Sequence, residues 1–114
     1  MHGPFVFSTV CVDQVVPLHR PGAYGLSRTS AEEVEVVDFS ASSLREELRF
    51  HAEEARYFWF EVALTAHEAY RLACDFYHSP SPKKASGAVH PAAPPGPGWT
   101  CPVCHSHAEQ LVPA

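Results

Sequence analysis

No apolar run in this chain reaches the ~18 residues that a membrane-spanning helix needs, so no segment is expected to cross a bilayer in that form. Positive charge is also scarce. Eight Lys and Arg stand against thirteen Asp and Glu, a net charge of −5, and the eight histidines add little at neutral pH. That is a poor electrostatic footprint for a protein whose main task is to hold a phosphate backbone. The opening Met1-His2-Gly3-Pro4-Phe5-Val6-Phe7 lacks the basic start and small-residue cleavage site of a signal peptide. A reducing cytoplasm is therefore the expected setting, and there four cysteines point to metal rather than to disulfides. At 114 residues, 46% hydrophobic, the chain is long enough for one domain with one core, and residues 1–114 are taken as a single unit.

The local patterns predict a mixed α/β domain. Residues 5–12 are β-rich and read as a first strand, with Cys11 a small buried hydrophobe within it. Two prolines and a glycine between Val16 and Gly22 make a turn-forming connection. Residues 23–27 and 34–39 form short strands joined at hairpin length. Ser43-Leu44-Arg45-Glu46 is a capping box, with Leu44, Leu48, Ala52 and Ala55 at helical spacing, so a helix is expected over about 43–54. Residues 56–64 are too aromatic and β-branched to continue it and read as a central strand. Its Phe58, Phe60, Val62 and Leu64 are expected on the best-buried face. Thr65-Ala66-His67-Glu68 is a second capping box, opening a helix whose apolar stripe is Ala69, Leu72, Ala73 and Phe76. From Ser79 to Gly98, six prolines and three glycines exclude helix and central strand alike. Residues 79–100 are read as a proline-rich strap with Trp99 as its apolar anchor.

Cys74 and His78 lie one helical turn apart on one face. Cys101-Pro102-Val103-Cys104 is a tight knuckle that aims two sulfurs at one point. Together they supply three thiolates and one imidazole, a closed tetrahedral set of the kind zinc prefers in structural sites. His105 or His107 is the alternative to His78, and His90 a weaker one. Cys101-Pro102-Val103-Cys104-His105 also matches a haem-attachment pattern, but that chemistry requires export. A redox dithiol pair would sit where a strand leads into a helix, and this pair follows a proline strap.

The ordered set Pro21-Gly22-Ala23-Tyr24-Gly25-Leu26-Ser27, Ser43 to His51, Tyr57-Phe58-Trp59-Phe60-Glu61, Glu68-Ala69-Tyr70 and Cys74 to His78 resembles the GIY-YIG domain, the small α/β fold of homing endonucleases and excision-repair nucleases. The ending, His90-Pro91 through Trp99-Thr100-Cys101-Pro102-Val103-Cys104, is similar to a bacterial subgroup that carries such a tail. The similarity spans residues 16–104. It implies a small, mainly antiparallel sheet flanked by two principal helices, and it places the first motif tyrosine at Tyr24 and the helix histidine at His51. The other family positions have changed. The second motif tyrosine falls at Val37, the catalytic arginine at Glu47, with Arg45 and Arg49 on other faces of the helix, and the metal-holding glutamate at Ala73. Phosphodiester cleavage needs a cation on the phosphate and a carboxylate to hold that cation. Tyr24 and His51 are thus expected to be vestigial. The expected protein is a zinc-containing module that acts by binding protein or nucleic acid, without a small-molecule cofactor. A divergent metal-dependent endonuclease is the alternative.

Overall fold

The computed structural model describes residues 1–104. The elements are β1 (His2–Val6), α1 (Thr9–Val15), β2 (Gly22–Ser27), β3 (Glu33–Val34), β4 (Val36–Ser40), α2 (Leu44–His51), β5 (Tyr57–Val62), α3 (Ala66–His78) and β6 (Lys83–Lys84). Four strands form an antiparallel sheet in the order β1-β5-β2-β4, and β3 pairs with β6 in parallel. The expected small antiparallel sheet with helices is therefore present.

The first expected strand is shorter than its composition suggests. β1 ends at Val6, and Ser8 starts a helix by accepting the Cys11 N–H with its side chain. Val12 and Val16, four residues apart, are both buried by it, 0% and 1% exposed, so tertiary packing overrides a local β preference. Cys11 is half-buried on this helix. α1 has no basic residue in its last turn. Arg45 of α2 supplies one, donating from Nε to the Val16 carbonyl (2.7 Å) and from Nη2 to that of Asp13 (2.9 Å). Arg49 adds an ion pair to the Asp13 carboxylate at 3.0 Å. Both arginines thus fasten α1 to α2.

α2 and α3 begin where their capping boxes place them, with Ser43 and Thr65 accepting the Glu46 and Glu68 N–H groups. α2 stops at His51, short of the expected residue 54. β5 is central but is buried on both faces. Phe58 (0% exposed) and Phe60 (5%) pack with Tyr24, Leu26, Leu44 and Leu48 on the side of α1 and α2. Trp59 (2%) packs with Ala23, Val37, Ala73 and Phe76 on the side of α3. Helices cover both sheet faces, so alternation along the strand leaves no solvent side. Leu64, expected on the buried face, lies beyond the strand end and is exposed.

The strap returns along the sheet. Ala85 N–H donates to the Val34 carbonyl at 2.7 Å, extending the β3–β6 pairing. Lys84 donates to the Ser79 carbonyl and sits over the Phe76 ring, its ammonium 4.6 Å from the centroid. Trp99 stacks on His67 with centroids 4.0 Å apart and an interplanar angle of 11°, and it also meets Phe39 and Tyr70. The expected apolar anchor is therefore an aromatic stack on the first turn of α3. No helix among the described residues is long and apolar enough to cross a membrane.

Candidate metal centre

Four side chains converge where the strap meets the end of α3. The donor atoms of His78, His90, Cys101 and Cys104 all lie within 4.8 Å of one another. Cys104 Sγ is 3.3 Å from His78 Nε2 and 3.6 Å from His90 Nε2. Tetrahedral zinc, with bonds of about 2.3 Å to sulfur and 2.0–2.1 Å to nitrogen, gives ligand–ligand edges of roughly 3.3–3.8 Å. The gaps match those edges. His90 Nδ1 lies 2.8 Å from the Pro91 carbonyl oxygen. With the proton on Nδ1 donated there, the Nε2 lone pair faces the cluster, as a metal-bound imidazole requires.

Three of the four predicted donors, His78, Cys101 and Cys104, are thus brought together, and His90 completes the compact set. Cys74 is fully buried directly behind them, in a small cluster with Tyr70 and Cys101. Burial, with the neighbouring Cys101, pushes its thiol up to about 12. Burial also opposes ionisation of Cys101. The Cys104 backbone N–H, His90, Cys74 and Cys104 overcome that penalty and bring Cys101 down to about 6, a thiolate at neutral pH. Cys74 thus packs against the candidate ligand Cys101 from the core side, outside the compact set. Helix spacing pointed to Cys74 because it shares a face with His78. The signal for His90 was only its place in the strap, twelve residues past the helix, a distance no local periodicity spans. His105 and His107 lie outside the described residues.

Substitution should separate these roles. His78→Ala and His90→Ala are each expected to weaken zinc binding by at least tenfold to a hundredfold, and Cys74→Ala by less than either. Competition with a chromophoric chelator measures all three. A Cys74→Ala loss equal to that of Cys101→Ala would make Cys74 a direct ligand in place of His90.

Three of the positions singled out by the family resemblance, Tyr24, His51 and Glu47, form a second cluster, on the α2 side of the sheet. Tyr24 is 2% exposed and its ring lies 5.9 Å from that of His51. His51 is held between Glu54 (2.8 Å) and Glu47 (3.9 Å). Asp38 faces Tyr24 in strand register. Burial, then Asp38, Glu47 and Glu54, push the Tyr24 hydroxyl far above its ordinary value, and burial also raises the Glu47 carboxyl. Arg45 and Arg49 are turned to α1 and do not reach this cluster. Val37 and Ala73 are buried on the opposite face of the sheet, with Trp59 and Phe76. A glutamate at position 73 would be sealed into that core, away from Tyr24. The carboxylates around Tyr24 do not form a convergent group of metal donors; among the described residues the His78 cluster alone does.

These features define a small α+β domain with a candidate His2Cys2 metal centre. No family model, no curated protein and no solved structure matches the chain.

Proposed function

We propose that this chain is a zinc-stapled binding module on a GIY-YIG-like frame, one that does not cut nucleic acid. The observation that carries this is the electrostatics around Tyr24. Three carboxylates, of Asp38, Glu47 and Glu54, surround the tyrosine, and the arginines of α2 are spent on α1. A transferring phosphate would meet repulsion where it needs a cation. In favour of the frame, the two motif segments are neighbours, Tyr24 opposite Asp38 and Gly25 opposite Val37. In favour of zinc are two imidazoles and two thiols whose donor atoms all lie within 4.8 Å of one another, a ligand set that zinc takes in closed structural sites. A reducing, cytoplasmic setting goes with this, because Cys101 and Cys104 must stay thiolates.

Incubation with single-stranded, duplex and branched DNA, and with RNA, in magnesium or manganese should give no cleavage above background. Loss of one electrostatic stabiliser typically costs about two to three orders of magnitude in rate, and here both cation and metal carboxylate are missing. Cleavage that disappears in Tyr24→Phe would overturn the proposal and reinstate a divergent endonuclease.

A further inference from the structure

The cluster around Tyr24 is built for a ligand of the opposite sign to phosphate. Asp38 on β4, Glu47 on α2 and Glu54 just after it close around Tyr24, with His51 as the one basic group among them. Tyr24 is 98% buried by its 2% exposure, yet its hydroxyl makes no hydrogen bond among the described residues. No fully buried side-chain oxygen or nitrogen there lacks a partner, so this hydroxyl opens at the surface of the carboxylate ring. The ring is buried, while the hydroxyl is unpartnered and accessible beside the carboxylates. Asp38 Oδ1 accepts the Phe39 N–H at 2.8 Å, which leaves its second oxygen for an incoming donor.

The same site continues into a groove. β4 is the last strand of the sheet and pairs with β2 alone among the described residues. Along its outer edge runs an open hollow of about 330 Å³ between β4 and the strap, lined by Val36, Asp38, Val89 and His90. Val36 and Val89 are exposed, 45% and 75%. An extended segment laid there would send alternate side chains to the two faces of the sheet. Those on one side would cover Val36 and reach Asp38 and Glu47, and those on the other would meet Val89 of the strap. A small polyamine would use the carboxylates and leave the groove empty.

We propose that the β4 groove binds an extended, basic segment of a partner protein, which inserts an arginine or lysine side chain among Asp38, Glu47 and Glu54, against the Tyr24 hydroxyl. This names the partner class for the binding module proposed above and rests on that reading. Because His90 lines the groove and also joins the metal cluster, the strap wall is in place only with metal bound.

The test uses zinc-loaded full-length protein, with its metal content measured, and a fluorescein-labelled hexapeptide of alternating arginine and threonine. Saturable binding that weakens with salt is expected. Glu47→Gln and Asp38→Asn should each weaken it about tenfold, the effect of one charge-assisted contact. Tyr24→Phe, which keeps the packed ring, should weaken it severalfold. The pair Glu32→Gln with Asp75→Asn, which removes twice the charge of either single variant from exposed positions elsewhere, should leave binding unchanged. An equal loss in that pair would reduce the effect to bulk charge and overturn the proposal. Spermine displacing the peptide at matching affinity, with the same dependence on Glu47, would overturn it in favour of a small amine. Metal-loaded, non-cleaving protein that ignores the peptide would end this inference alone, whereas absent zinc or observed nuclease activity would end the reading beneath it.

Discussion

Cys101→Ser is expected to strip the metal from the protein and to free everything after Ser79 while the domain beneath stays folded. Cys101 is the most buried candidate ligand of the four, 6% exposed, and the one whose thiolate is best supported by its neighbours. Serine offers no ligand zinc will hold at neutral pH. Without the metal, the strap keeps a two-residue strand pair, the Lys84 contacts and the Trp99–His67 stack. Those cannot offset the ordering of more than twenty residues at roughly 1–2 kcal/mol each for the backbone alone. Structural zinc, with an apparent binding free energy of about 10–16 kcal/mol in small domains, can. The two main core clusters contain no strap residue, so the sheet and helices have no reason to follow. Metal analysis should fall from about one zinc per chain to near none. Limited proteolysis should cut within 79–104 and leave a stable fragment, and chelation of the wild-type protein should reproduce the pattern. A strap that stays protected from proteolysis in the metal-free variant would show that packing, not metal, holds it.

The largest loss of stability is expected from Phe58→Ala. Phe58 is 0% exposed and lies at the crossing of β1, β5 and the α1–α2 layer, with ring centroids 5.3 Å from Phe5, 4.9 Å from Phe7 and 6.1 Å from Phe60. Removing a ring from such a site costs about 3–5 kcal/mol, the lost transfer energy plus the cavity. Against a total of about 5–15 kcal/mol, that brings the domain to the edge of unfolding. Leu64→Ala, at a side chain 75% exposed, should change stability by no more than about 0.5 kcal/mol. Urea denaturation of both variants measures the contrast. A Phe58→Ala cost below about 1.5 kcal/mol would mean that the aromatic layer closes over the gap, and that the core is less tightly interlocked than its burial implies.

Much of the fold was legible because it is local. Ser43 and Thr65 announce their helices through a hydrogen bond three residues away, a signal that chain neighbours carry themselves. The strand segments from Gly22, Val36 and Tyr57 showed as β-branched and aromatic runs between turn residues. The first strand misled for the opposite reason. Thr9-Val10-Cys11-Val12 is as β-prone as any stretch in the chain, and only the arrival of α2 beneath Val12 and Val16, with Arg45 on the last carbonyls of α1, makes it a helix. Leu64 misled because alternation says which residues share a face but not where the strand stops.

At the candidate metal centre, the sequence by itself determined that His78 ends a helix and that Cys101 and Cys104 form a knuckle, since both follow from spacings of three or four residues. Tertiary structure decided the membership of the set. His90 enters because the strap folds back past α3, and Cys74 stands behind Cys101 because its helical face turns into the core; neither is a property of neighbouring residues. The same division holds around Tyr24. Sequence put Tyr24, His51 and Glu47 in one neighbourhood by resemblance and left Asp38 and Glu54 as scattered charges. Strand register set Asp38 opposite Tyr24, and the turn after α2 brought Glu54 to His51, so the sign of the site was decided by the fold. Charge is additive along a chain, but its potential depends on distance in space, and distance is what the packing of β4, α2 and the strap supplies.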